Sequence, residues 1–166
     1  AKHGGGAASV VSALRSALDL GYIHFDTAES YSAGHSEELL GQAVRQSGIA
    51  REKLFITTKV SPEHLQFDDV LRSCEASLRR LDMDYVDLYL IHWPRVGMEL
   101  PETFRALNQL VREGKVRHIG VSNFNLKQLK EAEARSETPL LTNQVPYSFP
   151  DRRYVENGVL AYCQEH

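Results

Sequence analysis

The feature that most constrains this chain is an alternation. Five short apolar runs are each followed by one amphipathic stretch, with almost nothing in between. The apolar runs lie at 22–25, 54–60, 85–91, 116–121 and 140–145. Around them, apolar residues recur at helical spacing. Val10, Val11, Leu14, Ala17 and Leu18 make one stripe, and Leu39, Leu40, Ala43 and Val44 a second. A third helix is predicted over 67–81, a fourth carries Phe104, Leu107, Leu110 and Val111, a fifth crosses Leu126 and Leu129, and a last begins near Val155. The punctuation agrees. Ser9 is placed to cap the first helix and Gly21 to end it. Ser36, with Glu37 and Glu38, opens the second with acids at its positive end, and Gly48 stops it. Pro101 suits the first turn of the fourth, Gly114 lies past its end, and Asn125 is placed to cap the fifth.

Strands joined through single helices must pair in parallel by right-handed crossovers. Runs such as FITT and DLYLI are nearly apolar on both sides, as strands covered on both faces require. The choice is then a barrel or a doubly wound sheet. No G-x-G-x-x-G follows the first strand, so the classical dinucleotide-binding sheet loses its main support. GGG at 4–6 precedes a helix but lacks a Lys-Ser/Thr ending and a strand before it. It reads as a flexible loop rather than a phosphate cradle.

Composition narrows the class. The chain has 166 residues, 42% hydrophobic and 25% charged, with no low-complexity linker, which predicts one globular domain over 1–166. Nineteen basic against 22 acidic residues give a net charge of −3, which argues against nucleic acid or an anionic membrane as partner. No apolar run approaches the roughly 20 residues of a membrane span, and the start AKHGGGAASV has no signal-peptide core. Cys74 falls on the apolar stripe of the third helix, so it is expected as a buried reduced thiol. Two cysteines without ligand spacing, and no carboxylate–histidine cluster, speak for a cytoplasmic setting and against a metal centre.

The strands end alike, with a polar residue where the apolar run stops. Asp26 follows His24-Phe25, Lys59 follows Ile56-Thr57-Thr58, and His92 follows 88–91. Ser122 and Asn123 end the fourth run, and Asn143 and Gln144 follow Leu140-Leu141. In an α/β barrel these positions share the C-terminal mouth, where active sites sit. Each residue alone has an ordinary reading. Asp26 fits a turn cap, Lys59 a snorkelling side chain, His92 a packing histidine, Tyr31 a loop aromatic. Their joint recurrence at successive strand ends favours one shared site.

FDTAESYSAGHSEELLG, ITTKV, DLYLIHWP, GKVRHIGVSNF and NQVPY resemble aldo-keto reductase motifs, in the family's order and at family-like spacing. Lys59 and His92, for example, are 33 residues apart. The resemblance implies a (β/α)8 TIM barrel and NADP(H)-dependent reduction of an aldehyde or ketone, a small-molecule carbonyl substrate, to an alcohol. By motif it assigns Asp26, Tyr31, Lys59 and His92 to the catalytic tetrad. It assigns Ser122, Asn123 and Gln144 to binding the nicotinamide carboxamide, and Trp93 to a substrate-pocket wall. Turn, cap or packing roles also suit these last four. The chemistry is consistent with the tetrad. Carbonyl reduction takes a hydride and a proton. A phenol is a reluctant acid near neutrality, and an ammonium beside its oxygen stabilises the phenolate. Lys59 is suited to that role, with Asp26 holding it charged, Tyr31 giving the proton, and His92 donating to the carbonyl oxygen.

A full barrel takes about 250 residues. The five runs match the family's second to sixth strands. The first, seventh and eighth strands, with the family's phosphate-gripping residues, have no counterpart here. Five strands leave open edges that invite association. Three readings follow: part of a longer enzyme, a short chain completed by another chain, or a fragment without turnover. The alternative function is a non-catalytic scaffold of the same fold that binds cofactor or a partner.

Overall fold

The computed structural model describes residues 4–166. Five strands, β1 (His24–Asp26), β2 (Phe55–Val60), β3 (Val86–Ile91), β4 (Val116–Ser122) and β5 (Asn143–Gln144), form one sheet in the order 1-2-3-4-5. Every neighbouring pair is parallel. Helix α1 (Gly4–Asp19) precedes β1. Helices α2 (His35–Ser47), α3 (Phe67–Leu81), α4 (Leu100–Arg112) and α5 (Leu126–Glu133) make the four crossovers. Two short helices, α6 (Arg153–Glu156) and α7 (Val159–Glu165), follow β5.

Strand alternation divides the side chains between two environments. Phe25, Ile56, Val60, Tyr89, Ile91, Ile119 and Val121 join the core built with the helices. The helices supply Leu39, Leu40, Val70, Leu78, Phe104, Leu107 and Leu110, all buried. Fully burying each such side chain is worth about 1.5–3 kcal/mol. The opposite face carries His24, Asp26, Thr57, Lys59, Leu88, Leu90, Ser122 and Gln144, aligned by the registers Asp26↔Thr57, Lys59↔Leu90 and Ser122↔Gln144. The sheet curls around this face. Gln144 Nε2, on one edge strand, donates to Asp26 Oδ2 on the other at 3.0 Å. A cleft of about 430 Å³ lies inside, lined by Ile23, Phe55, Leu88, Leu90 and Leu141 among others. The expected (β/α)8 topology is therefore present as a half-barrel of five parallel strands with its helices outside.

Helix α2 approaches α3 closely at Gly41, where a Cβ would fall on the backbone carbonyl of Leu81. At the N-terminal ends of the strands, buried Asp87 accepts from Ile56 N (2.9 Å), Arg51 (2.6 Å) and Arg117 (3.3 Å). The two guanidiniums also lie over the Tyr85 ring, 4.2 and 3.9 Å from its centroid. A buried carboxylate is tolerable when paired in this way.

Several sequence expectations hold. Gly21 turns the chain out of α1 at φ 88°, Pro101 sits in the first turn of α4, and Asn125 forms a capping box with Gln128. Cys74 is fully buried and free, its thiol pushed up to about 12 by burial. Others need correction. GGG is not a loop: α1 starts at Gly4, so Ser9 lies within the helix rather than at its cap. Ser36 lies in the first turn of α2 rather than capping it; Gly34, left-handed at φ 89°, occupies that position. The last helix is two, divided at Gly158, which takes φ 82°. The outer strands are shorter than their apolar runs. Tyr22, Ile23 and Leu141 are at least half exposed because β1 and β5 each have a paired strand on one side only. Residues 1–3 lie outside the described residues. Among the described residues, no helix is long and apolar enough to cross a membrane.

Candidate active site

The parallel sheet brings the C-terminal ends of its strands to one rim, and that rim gathers the polar strand-end residues. Asp26 ends β1, Lys59 is the penultimate residue of β2, and His92 follows β3 directly. Lys59 is 1% exposed. An ammonium buried to that degree requires partners. It has an ion pair with Asp26 Oδ1 and donates to the Thr27 carbonyl at 2.9 Å. Asp26 is exposed, so only the ammonium is desolvated, and losing Asp26 leaves Lys59 with the Thr27 carbonyl as its hydrogen-bond partner among the described residues. The second oxygen of Asp26 is held by Gln144.

Tyr31 stands on the loop after β1 and leans over this pair. Lys59 Nζ lies 5.2 Å from the centroid of its ring. The ring also meets His92 edge-on, with centroids 5.7 Å apart and planes at 76°. Ser30 Oγ lies 3.4 Å from His92 Nδ1. Burial lowers the His92 pKa, and the Lys59 ammonium lowers it further against the opposing pull of Asp26 and Glu29. The imidazole is thus neutral near neutral pH, carrying one N–H donor and one acceptor. Asp26, Tyr31, Lys59 and His92, drawn from three strand ends, form one contiguous cluster.

The loop that presents Tyr31 is conformationally demanding. Ser32, Ala33 and Gly34 are consecutively left-handed, at φ 50°, 53° and 89°. For a non-glycine residue that conformation costs about 1–2 kcal/mol. Two carboxylates secure the loop on either side. Glu29 Oε1 accepts from Ser61 N at 2.6 Å and lies 2.9 Å from His64 Nδ1. Glu37, fully buried on α2, accepts from Thr58 Oγ1 at 2.5 Å and from Arg80 Nε at 2.6 Å. Burial raises the Glu29 pKa, but hydrogen bonds from Ser61 and His64 together outweigh it and leave the carboxyl below its ordinary value.

The sequence reading missed both. Glu37 had a usable signal, since it lies three and four residues before Leu40 and Gly41 on the buried face of α2. Glu29 lies in a loop, where no periodicity marks the side that turns inward.

Ser122, Asn123 and Gln144 meet on the same rim, beside the cluster. Ser122 Oγ donates to the Gln144 carbonyl at 2.8 Å. Asn123, left-handed at φ 64°, donates through Nδ2 to the His92 carbonyl (3.0 Å) and lies 2.9 Å from Ser122 Oγ. The Nδ2 and Nε2 groups are thus engaged, while the side-chain carbonyls of Asn123 and Gln144 accept no hydrogen bond among the described residues. Two carbonyl acceptors are what the NH₂ of a carboxamide needs, so these residues fit the amide end of a nicotinamide. Trp93, next to His92, is 49% exposed, so its ring is not committed to the core. Another cleft, of about 840 Å³, lies elsewhere, lined by Arg45, Arg51, Asp82, Tyr85 and Arg117 among others and by none of the rim residues.

Known proteins match this sequence and fold over nearly the whole chain. The family model of the Aldo/keto reductase family matches residues 6–166. Glyoxal reductase of Bacillus subtilis is 40% identical over 151 residues, covering 91% of this chain and 52% of that protein. Methylglyoxal reductase YeaE of Escherichia coli is 39% identical over 156 residues, covering 93% and 53%. Among solved structures, the thermostable aldo-keto reductase Tm1743, in complex with the inhibitor epalrestat, superposes with a TM-score of 0.93 at 48% identity, covering 96% of this chain and 57% of that one. The aldo/keto reductase of Klebsiella pneumoniae with NADP and acetate gives 0.87 at 40% identity, covering 99% and 57%. The chain thus spans about half the length of these relatives. A family match over residues 6–166, with superposition on a solved aldo-keto reductase over 96% of the chain, places this chain in the aldo/keto reductase family.

Proposed function

We propose that this chain carries the proton-transfer half of an NADP(H)-dependent carbonyl reductase, in which Tyr31 protonates the oxygen of an aldehyde or ketone. The observation that carries the reading is the convergence of the buried Lys59 ammonium on Asp26 and on the Tyr31 ring, with His92 against that same ring. Relatives named as glyoxal and methylglyoxal reductases, and a similar structure holding NADP, support the same direction.

Bound NADPH supplies the hydride. The chain's own residues do the rest. Ser122, Asn123 and Gln144 hold the carboxamide edge of the nicotinamide at the rim. His92, neutral near physiological pH, donates a hydrogen bond to the substrate oxygen and fixes its approach. Tyr31 delivers its phenolic proton to that oxygen as negative charge develops there. Lys59 stabilises the charge left on the phenolic oxygen, and Asp26 keeps Lys59 charged and in place. Trp93 forms an apolar wall beside the substrate and excludes water.

The alternative is a scaffold of the same fold that binds cofactor or a partner without turnover. Mixing the 166-residue chain with NADPH and an aromatic aldehyde, and following loss of the reduced cofactor, separates the two. Turnover that Tyr31→Phe abolishes is the expected result. Unchanged turnover in that variant removes Tyr31 as proton donor. Cooperative folding with no NADPH binding leaves the scaffold.

A further inference from the structure

We infer that Glu29 is a positioning residue for Tyr31, acting as a clamp that fixes the loop after β1 onto the end of β2; the inference rests on the reading of Tyr31 as proton donor. Three consecutive residues of that loop reach the ends of two strands, β2 and β3. Glu29 takes the backbone N–H of Ser61, two residues beyond Lys59, and pairs with His64. Ser30 meets His92, and Tyr31 sets its ring against His92 and 5.2 Å from Lys59 Nζ.

Immediately downstream, the chain passes through three left-handed residues. Strained backbone of this kind persists only where its surroundings over-determine it. On the far side, Glu37 fastens the start of α2 to Thr58, the residue before Lys59. Glu29 supplies the matching restraint on the near side. The two carboxylates thus bracket Tyr31 in sequence, and their partners Ser61 and Thr58 bracket Lys59. Tyr31 is 41% exposed, so its ring contacts with His92 and Lys59 are supplemented by these two side-chain anchors and by the Glu29 N–H, which donates to the Lys59 carbonyl at 3.3 Å. The Glu29 carboxylate, with a side chain 9% exposed, makes its hydrogen bonds to Ser61 and His64 and none to Tyr31 or Lys59 Nζ among the described residues. Its effect passes through the loop.

The test uses the 166-residue chain. The edge-on Tyr31 ring imposes a ring-current shift on the His92 C–H protons, which NMR reads without any turnover, with Tyr31→Leu giving the unshifted position. Glu29→Ala is expected to move the His92 resonances toward that position while the far-UV spectrum stays unchanged. Resonances that stay at the wild-type position overturn the inference. If Glu29→Ala does not fold, Glu29→Asp decides by the same comparison, because its shorter side chain withdraws the oxygen from Ser61 and His64. In the aldehyde assay, Glu29→Ala is expected to lower kcat about tenfold or more while leaving the carbonyl KM little changed. A wild-type chain without turnover would count against the proton-donor reading, and the NMR comparison would still decide the clamp.

Discussion

Ala33 shows how local geometry is spent near the reacting group. Its φ of 53° is one that a residue with a Cβ adopts only at a cost of about 1–2 kcal/mol. Glycine relieves that cost but loses roughly 0.4–1 kcal/mol through a freer unfolded chain. Ala33→Gly is therefore expected to raise stability by up to about 1 kcal/mol, read as a higher urea midpoint at unchanged slope. A lower midpoint would show that the left-handed run is not strained. His92 gives a pH prediction. Its folded pKa is lowered by burial and by Lys59, so the unfolded chain takes up the proton first as pH falls. The stabilising contribution is complete above about pH 6.5, and it is lost as pH falls from there through the folded value. Wild-type stability measured against pH should therefore fall relative to His92→Gln below that point. Parallel curves would contradict the shift.

At the scale of elements, α2 and α3 meet where Gly41 lets one backbone touch another. A Cβ there would fall on the Leu81 carbonyl, a backbone atom that cannot rotate away. Gly41→Ala should cost about 1–3 kcal/mol in chemical denaturation, as overpacking does. An unchanged midpoint would mean that the two helices separate freely. The elements also show why some of the molecule was legible in sequence. The helices from α2 to α5 have apolar stripes at helical spacing, and β2, β3 and β4 are flanked on both sides, so their apolar runs are their strands. At β1 and β5 the ladder ends early for want of an outer partner, and the runs overstate the strands. The start of α1 was obscured because glycine is a poor helix former, yet Gly4–Asp19 is continuous helix. Asp26, Lys59 and His92 were legible because each interrupts an apolar run at its end. Glu29 was not, because its role depends on which side of an irregular loop faces β2.

At the scale of the whole molecule, the half-barrel places one coherent set of groups at its mouth and leaves the inner face reachable through a cleft of about 430 Å³. Asp26 and Gln144 touch across that interior, so the two edges of the sheet are coupled at the rim where the cofactor's amide and the substrate oxygen would lie. Under the proposed function this rim reduces a carbonyl, with the hydride from the cofactor and the proton from Tyr31. The most direct test gives the 166-residue chain NADPH deuterated at both C4 positions with an aromatic aldehyde, and reads the alcohol by mass spectrometry. One deuterium on the carbinol carbon is expected, with labelled alcohol formed at least about a hundredfold more slowly by Tyr31→Phe. Alcohol without deuterium, or equal rates from the two proteins, would contradict it.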